Sequence, residues 1–231
     1  FKAAGVPVFV AYYRRCLPRF TQAASLISAG AIGTLTSIKT HFACPPPVII
    51  DPLNPPWRLD ANNAGGGLFL DLSSHTLDLL DHLVGPLSGV QGHATNRATP
   101  LPVEDGVSMS FVTRDGVPGV GLWDFAGAMS LDEIIIAGTK GRLVFSTFGN
   151  EPIRLETRAG VETFDRPNPA HVQQPLIQTI VDTLLGRGVC PSTGESARRT
   201  STVMDAVLSD YYGGRQDAFW TRSDQWPGSR R

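Results

Sequence analysis

The chain has 231 residues, with 20 Lys and Arg against 21 Asp and Glu, so its formal net charge at pH 7 is −1. Apolar residues make up 42% of the sequence, which is enough to build a buried core and excludes a wholly disordered chain. The balanced charge argues against nucleic acid or an anionic membrane as the main partner. No apolar run approaches the roughly 20 residues that a membrane-spanning helix needs.

The cysteines lie far apart in the sequence, at Cys16, Cys44 and Cys190. Without a Cys-x-x-Cys pair, a zinc site formed by neighbouring cysteines is not expected. Their odd number and the lack of a recognisable signal peptide favour a reducing, cytoplasmic compartment. Because the sequence opens with Phe1 instead of Met, we expect it to begin inside a longer protein.

The N-terminal segment predicts helix and strand in alternation. Phe1–Ala4 has the character of a helix end, and the apolar run Val6–Tyr12 predicts a buried strand. Such a pair is how a doubly wound α/β sheet ends. Next, the pattern predicts a helix over Pro18–Ala29 and a strand over Thr34–Phe42.

The middle of the chain predicts one helix and then a strand-rich block. Leu68–Leu83 carries leucines at helical spacing and is followed by the helix-stopping pair Gly85-Pro86. Between Val90 and Phe164, short apolar runs alternate with turns such as Asp115-Gly116, and short links of this kind join antiparallel strands. The predicted strands of this block are Val107–Val112, Val120–Phe125, Glu133–Ala137, Arg142–Phe148, Ile153–Thr157 and Val161–Phe164.

Two helices are predicted near the C-terminus. The first covers Val172–Leu185, with Pro175 marking its start, and the second covers Glu195–Tyr212. Ser192 and Glu195 have the spacing of a capping box for the second helix. From residue 216 to residue 231 the sequence is polar and is expected to form a loose tail.

Together these elements predict an α+β fold with an open, mainly antiparallel β-sheet and helices on one face. We expect residues 15–215 to form this domain. The other face of such a sheet needs a cover, which a second subunit or a second domain usually provides.

The most informative segment is a run of three glycines, Gly65–Gly67, followed by acidic and histidine side chains. Glycines allow a backbone to approach a ligand closely or to adopt a positive φ. Asp71 and His75 are four residues apart and therefore share a face of the predicted helix. A carboxylate beside an imidazole raises its pKa and fixes its tautomer, which suits proton transfer near neutral pH. The structural alternative is that Asp71 only complements a helix N-terminus and His75 is a satisfied core histidine.

A metal site is a rival interpretation of the same helix. Four side chains of the types that bind zinc or iron recur near one helical face, at Asp71, His75, Asp78 and His82. They spread over about 16 Å of a helix that rises 1.5 Å per residue, so one ion could be reached by only two or three of them. A metal site is therefore the weaker prediction.

The sequence contains no complete motif for nucleotide binding. Gly119 and Gly121 imitate a dinucleotide fingerprint, but Asp124 stands where the third glycine belongs and the run continues as a strand. The run Gly186-Arg187-Gly188 fails in the same way, and neither a phosphate-binding loop nor a nucleophile elbow is present. The chain therefore predicts no self-contained cofactor site.

Six segments together resemble one protein family. They are VPVFVAYYRR (Val6–Arg15), the helix end Gly30–Gly33, Pro56-Trp57-Arg58, GGGLFLDLSSHTLDLL (Gly65–Leu80), IIIAGTKGRL (Ile134–Leu143) and CPSTGESARRTSTVMD (Cys190–Asp205). In this order they resemble the C-terminal part of the glucose–fructose oxidoreductase / inositol dehydrogenase (Gfo/Idh/MocA) family. The resemblance spans nearly the whole chain, and the glycine-run segment is its most specific piece.

Membership of this family implies an enzyme that uses NAD or NADP and acts on a sugar, a polyol or a related diol. It implies an N-terminal Rossmann domain, of which residues 1–14 would be the C-terminal remnant. A substrate-binding domain that forms a homodimer through its sheet would follow, over residues 15–215. The Rossmann fingerprint and the lysine of a Glu-Lys-Pro motif are expected upstream of Phe1, so the chain resembles an N-terminally truncated oxidoreductase.

The resemblance also implies roles for individual residues. By position, Asp71 and His75 correspond to the catalytic Asp and His of the family. Four further residues are predicted to bind substrate, namely Arg14, His41, Trp57 and Arg58.

The resemblance therefore predicts hydride transfer between a nicotinamide and a secondary alcohol or ketone of a small sugar-like substrate. His75 would exchange the hydroxyl proton and Asp71 would orient His75. Two alternatives stay open. One is a non-catalytic sugar-binding or dimerisation module, and the other is a metal-dependent sugar isomerase or lyase that uses His75 and His82.

Overall fold

The computed structural model describes residues 1–49, 51–215 and 218–229. Its strands are β1 (Leu35–Ala43), β2 (Leu87–Thr95), β3 (Gly106–Thr113), β4 (Pro118–Asp124), β5 (Leu131–Gly138), β6 (Gly141–Phe145), β7 (Ile153–Thr157) and β8 (Gly160–Phe164). They form one sheet in the order β2-β3-β4-β1-β5-β6-β7-β8.

The α-helices of these ranges are α1 (Pro18–Ser28), α2 (Ala61–Ala64), α3 (Ser74–Val84), α4 (Gln174–Leu184) and α5 (Gly194–Tyr212). Pro175 lies in the first turn of α4, as the sequence predicts. No helix within the described part of the chain combines the length and the apolar composition that crossing a membrane requires.

The sheet is open and mainly antiparallel, which confirms the predicted fold class. Every neighbouring pair of strands is antiparallel except β1 and β4, which run parallel. The first strand of the chain, β1, lies in the middle of the sheet between β4 and β5. It therefore joins two units of locally connected strands, β2–β4 and β5–β8, through contacts that are distant in sequence.

Alternating side chains give the sheet one covered and one open face. On β3, Val107, Met109 and Phe111 are buried, whereas Val112 between them and the turn is 37% exposed. The covered face lies close to the helices, because a Cβ added to Gly92 on β2 would come within 2.7 Å of Val207 on α5. The missing side chain of this glycine lets α5 pack tightly on β2.

The N-terminal segment differs from the prediction. Val6–Tyr12 forms no strand of the sheet, and Phe9 makes only an isolated bridge with Thr193. The apolar pattern is that of a partly buried chain, but its backbone pairs with the residues before α5 instead of a sheet strand. Lys2–Ala4 forms a 3-10 turn where the sequence predicts the end of an α-helix.

The cap of α5 lies one residue away from its predicted position. The Thr193 hydroxyl accepts the Ser196 N–H at 3.3 Å, and the Ser196 hydroxyl accepts the Thr193 N–H at 3.0 Å. Ser192 donates its hydroxyl to Val10 O at 2.7 Å instead. Neighbouring hydroxyl residues at 192, 193 and 196 offer two overlapping patterns, and the bond to Val10 decides between them.

The predicted helix Leu68–Leu83 is divided in the structure. Phe69–Ser73 forms a π-helical turn, and α3 begins at Ser74. The turn follows Gly65 and Gly66, which have φ values of 77° and 155° and end α2. A π-helical turn is rare and is frequently found at functional sites.

The described part of the predicted tail packs against α5. Phe219 is 2% exposed and Trp226 is fully buried, and their rings lie 4.9 and 4.5 Å from the ring of Tyr212. The prediction of a loose tail is therefore wrong for residues 218–229, because its aromatic residues complete the core. Residues 216, 217, 230 and 231 of that tail lie outside the described residues.

Candidate active site

The glycine run holds the start of the candidate site against a buried carboxylate. Gly67 donates its N–H to Glu104 Oε2 at 2.9 Å. A Cβ at Gly67 would lie 2.6 Å from the Glu104 carbonyl oxygen, so only glycine fits this approach. The contact fixes the turn that precedes Asp71 and His75.

Glu104 is 2% exposed, and no sequence pattern singles it out, because it lies in a loop without a motif. Its Oε2 also accepts a hydrogen bond from the Tyr212 hydroxyl. Burial raises the pKa of Glu104, and burial together with the nearby Glu104 carboxylate raises the pKa of Tyr212. Glu104 therefore connects the glycine run to the end of α5.

The imidazole of His75 lies among three aromatic rings. Tyr12, Tyr13 and Phe148 meet it edge-on at centroid distances of 5.8, 6.0 and 6.2 Å. Its Nδ1 atom is buried and has no hydrogen-bond partner among the described residues. The side chain as a whole keeps some exposure, so His75 is neither sealed in the core nor held there by a bond to Nδ1.

The surroundings lower the pKa of His75 from 6.5 to about 4. Burial is the largest cause, and the positive charge of Arg14 acts in the same direction. Asp71 raises this pKa, as the spacing predicts, but its effect is outweighed. His75 is therefore neutral at pH 7, whereas the sequence predicts a histidine that titrates near neutrality.

Asp71 is held by an arginine from the loop before α2. Arg58 Nε donates to Asp71 Oδ2 at 2.7 Å, and the Arg58 guanidinium lies 4.6 Å from the centre of the Trp57 ring. This ion pair is partly open to solvent, with 53% of the Arg58 side chain and 32% of the Asp71 side chain exposed. The structure thus brings three predicted residues together, and Asp71 acts on His75 through its charge.

Arg14 is brought to the same place by the 3-10 turn Tyr13–Cys16. Its guanidinium lies 4.5 Å from the Phe148 ring centre and 4.9 Å from that of Tyr13, two rings that also contact His75. Its Nε donates to Thr147 O at 3.0 Å, while Nη1 is buried without a partner in the described residues.

His41 is not brought to this site. It lies on β1 opposite Leu122 and Glu133 of the neighbouring strands. The next residue, Phe42, contacts Phe148 on the helix side of the sheet at 5.5 Å. Because successive side chains of a strand point to opposite faces, His41 lies on the open face, away from His75.

The four side chains considered as possible metal ligands, namely Asp71, His75, Asp78 and His82, do not come together at one point. Asp78 is 1% exposed and accepts hydrogen bonds from Nε and Nη2 of Arg15, at 2.8 and 2.7 Å, and Asp71 is bound by Arg58. Burial lowers the pKa of His82, and Arg15 acts in the same direction. Over the described ranges, no group of three or more His, Cys, Asp or Glu side chains could hold a metal ion.

Comparison with known proteins places the chain in a family. The family model described as the GFO/IDH/MocA C-terminal domain matches residues 20–144, which is more than half of the chain. The chain belongs to the Gfo/Idh/MocA family. The sequence resemblance is therefore confirmed at the level of the family.

Proteins that are similar to this chain in sequence or in structure are oxidoreductases. The chain is 29% identical to Oxidoreductase P35 from Formosa agariphila over 205 residues, which cover 88% of this chain and 63% of that protein. Levoglucosan dehydrogenase in complex with NADH and levoglucosan superposes with a TM-score of 0.73 at 20% identity, covering 87% of this chain and 63% of that one. Aldose-aldose oxidoreductase from Caulobacter crescentus, complexed with glycerol, gives 0.74 at 19% identity, covering 90% and 64%.

These structural similarities are low in sequence identity and show that the Gfo/Idh/MocA fold is shared. The chain spans less than two thirds of the length of each of these relatives. What a complete relative binds or converts is therefore a property of that relative, and its transfer to this chain is a proposal.

Proposed function

We propose that this chain forms the substrate side of an NAD- or NADP-dependent oxidoreductase. The reaction is hydride transfer between the nicotinamide and a secondary alcohol or ketone of a sugar, a polyol or a related diol. One observation carries the proposal, namely that His75 is neutral, keeps an unpaired Nδ1 among the described residues and follows Asp71 by one helical turn. Membership of a family with sugar-oxidising relatives supports it.

In this proposal His75 takes the hydroxyl proton of the substrate as a general base and returns it in the reverse direction. Burial and the charge of Arg14 keep the imidazole neutral, so it can accept that proton. Asp71 offsets the positive charge that then forms on the imidazole, and Arg58 holds Asp71 in place at 2.7 Å. A bound nicotinamide would supply the hydride acceptor for the carbinol carbon.

We assign substrate binding to Arg14, Trp57 and Arg58. The Arg14 guanidinium lies against the rings of Tyr13 and Phe148, which also contact His75. Trp57 is 58% exposed and gives an apolar surface against which a sugar ring can lie. His41 is left out of this assignment because β1 turns it to the other face of the sheet.

The residues of this chain do not fit the phosphate groups of a dinucleotide. The sequence lacks a complete glycine fingerprint, and such a fingerprint is what brings a pyrophosphate to a helix N-terminus. We therefore assign cofactor binding to a Rossmann domain of the same protein, with residues 1–14 as its last part. The residues of that domain decide between NAD and NADP.

A dehydrogenase assay tests this function on the gene product that carries this chain together with a Rossmann domain. We expect NAD- or NADP-dependent oxidation within a panel of sugars and polyols. His75→Ala is expected to lower kcat by about 10²–10⁴-fold while the fold is retained, because the proton acceptor is lost. His93→Ala, at an exposed position on β2, is the matched control and is expected to keep wild-type kcat. Near-full activity of His75→Ala would show that the assignment of His75 is wrong.

A non-catalytic sugar-binding or dimerisation module is the second candidate. It is favoured by the missing dinucleotide fingerprint and by the limited share of each relative that the chain spans. Titration calorimetry of this chain with NADH, NADPH and a sugar panel is the first measurement. Sugar binding here, without any cofactor-dependent turnover in the longer gene product, would favour the module over the oxidoreductase.

We further propose a homodimer through the open face of the sheet. Val112, Val120 and Leu122 are 37%, 53% and 45% exposed on β3 and β4. Exposed apolar side chains that are contiguous on one face commonly mark an interface. A cytoplasmic location is part of the same proposal, since all three cysteines are free.

A further inference from the structure

Two arginines beside the candidate site are buried without a carboxylate partner. Arg14 is 8% exposed and Arg19 is 4% exposed. Neither forms an ion pair within 4.0 Å in the part of the chain that the structure describes. By contrast, the equally buried Arg15 is paired with Asp78 at 2.7 Å. Buried charges in proteins are normally paired, so the absence of a carboxylate in direct contact with Arg14 or Arg19 is unusual.

Only neutral groups hold the two guanidinium groups. Arg14 Nε donates to the Thr147 carbonyl oxygen at 3.0 Å, and Arg14 Nη1 is buried with no partner among the described residues. The acceptors of Arg19 are the Ser146 hydroxyl and the carbonyl oxygens of Gly149 and Glu151. All the hydrogen bonds that these two guanidinium groups make among the described residues therefore end on neutral oxygens.

The neighbouring carboxylates are engaged by other groups. Asp132 accepts the backbone N–H groups of residues 147–149, and Glu151 accepts a neighbouring serine hydroxyl. Burial lowers the pKa of both arginines, whereas the negative charge of Asp132 raises the pKa of both and that of Glu151 raises the pKa of Arg19. These carboxylates act from a distance, and among the described residues neither contacts a guanidinium group.

The two arginines line a small cleft with a volume of about 60 Å³. Phe148 and Asn168 are also part of its wall. A single water needs about 10–15 Å³ of such volume, so the cleft holds a few atoms and excludes a sugar ring. Phe148 borders both the cleft and the candidate site, because its ring lies 4.5 Å from the Arg14 guanidinium and 6.2 Å from the His75 ring.

We propose that the cleft between Arg14 and Arg19 binds a small monovalent anion, of the class of chloride or formate. The anion supplies the direct negative partner that neither guanidinium group has among the described residues, and it accepts the hydrogen bond that Arg14 Nη1 offers. The site depends on the geometry of this chain alone and stands whether or not the oxidoreductase function is correct.

Crystals of this chain grown with bromide test the site directly. Bromide replaces chloride and is located by its anomalous scattering. We expect a peak inside the cleft, within hydrogen-bonding distance of Arg14 Nη1. A cleft that holds only water, while bromide appears at exposed surface positions, would overturn the proposal.

Thermal unfolding gives an independent measurement in solution. At equal ionic strength, the Tm is expected to be about 2–4 °C higher in potassium chloride than in potassium gluconate. The reason is that chloride fits the cleft and binds the folded state, whereas the larger gluconate does not fit. Formate is expected to act like chloride. An equal Tm in all three salts would count against the anion site.

Matched variants assign the effect to the cleft. Arg14→Gln and Arg19→Gln are each expected to abolish the difference between chloride and gluconate, whereas Arg158→Gln, an exposed arginine, is expected to keep it. Asn168→Asp places a carboxylate in the cleft wall and is expected to remove the chloride dependence while the chain stays folded. Persistence of the chloride effect in the Arg14 and Arg19 variants would place the anion elsewhere.

The anion also has a measurable consequence at the neighbouring histidine. The titratable and charged groups that face His75 are Arg14, Asp71, Tyr12 and Tyr13. Since the charge of Arg14 lowers the pKa of His75, an anion bound to Arg14 is expected to raise that pKa. Proton NMR titration of His75 in chloride and in gluconate measures the shift, and no difference between the salts would contradict anion binding at Arg14.

Discussion

At the scale of single residues, the sequence singles out His75 and Asp71 as candidates but does not predict the environment that sets the pKa of His75. The four-residue spacing correctly places both at the start of one helical segment. The sign of the pKa shift depends on burial and on Arg14, which is distant in sequence and reaches His75 only in the folded chain. Neither the burial of His75 nor its interaction with the distant residue Arg14 produces a local pattern that the sequence would show.

The lowered pKa of His75 predicts how stability changes in acid. The pKa is about 4 in the folded chain and about 6.5 in an unfolded one. Between these values the unfolded chain binds more protons, so the free energy of unfolding falls as the pH falls from 6.5 to 4. His75→Gln removes this term and is expected to lose less stability than the wild type between pH 7 and about pH 4.5.

Urea unfolding at both pH values measures this difference. His93→Gln, at an exposed position on β2, controls for the removal of a histidine and is expected to lose as much stability as the wild type. Equal acid sensitivity of His75→Gln and wild type would show that His75 is not a buried neutral base.

Glu104 leads to a prediction about the bond that anchors the end of α5. Tyr212→Phe deprives the buried Glu104 carboxylate of a hydroxyl donor, and we expect a loss of about 1.5–3 kcal/mol, the range for hydrogen bonds to charged groups. Tyr211→Phe removes a bond to the neutral carbonyl oxygen of Pro102 and is expected to cost about 0.5–1.5 kcal/mol. Chemical denaturation compares the two variants, and a smaller loss in Tyr212→Phe would contradict the role of Glu104.

At the scale of elements, the sequence predicts the strands of β3 to β8 because alternation and turn residues are local signals. It fails where the partner of a segment is decided by distant contacts. Val6–Tyr12 has the apolar pattern of a strand, but the pattern reports burial and not the presence of a neighbouring strand. Likewise, the sequence of β1 predicts neither its central position in the sheet nor its parallel pairing with β4.

The glycine run is the element that the site needs most, and substitution tests its packing. Gly67→Ala places a Cβ 2.6 Å from the Glu104 carbonyl oxygen, so we expect a loss of about 1–3 kcal/mol from overpacking. Gly188→Ala, where the nearest atom is 3.7 Å from the new Cβ, is the matched control and is expected to stay within about 0.5 kcal/mol of wild type. Similar unfolding free energies for both variants would show that the close approach is not required.

At the scale of the whole molecule, the two faces of the sheet determine how the chain meets its surroundings. The sequence predicts that one face would be covered by helices and that the other would need a partner, because alternation marks both faces. The strand sequences do not predict which partner covers the open face, because an apolar side chain packs equally well on a second copy or on another domain. The exposed Val120 and Leu122 on β4 are the place to test it.

Light scattering coupled to size exclusion is expected to show a dimer of this chain at micromolar concentration. Val120→Glu buries a charge in the proposed interface and is expected to yield a monomer, because an unpaired buried charge is costly. Leu184→Glu, at a 63% exposed position on α4, controls for the loss of an exposed apolar residue and is expected to stay dimeric. A monomeric wild type would rule out the sheet-face dimer.

The central position of β1 has a consequence for synthesis on the ribosome. β1 ends at Ala43, but the strands that flank it are complete only when Gly138 has been added. Until both β4 and β5 have left the ribosome, the nascent strand keeps at least one free edge, and free edges recruit other chains. We expect nascent chains stalled before β5 has emerged to be cut by proteases within Leu35–Ala43, and chains stalled after its emergence to be protected there.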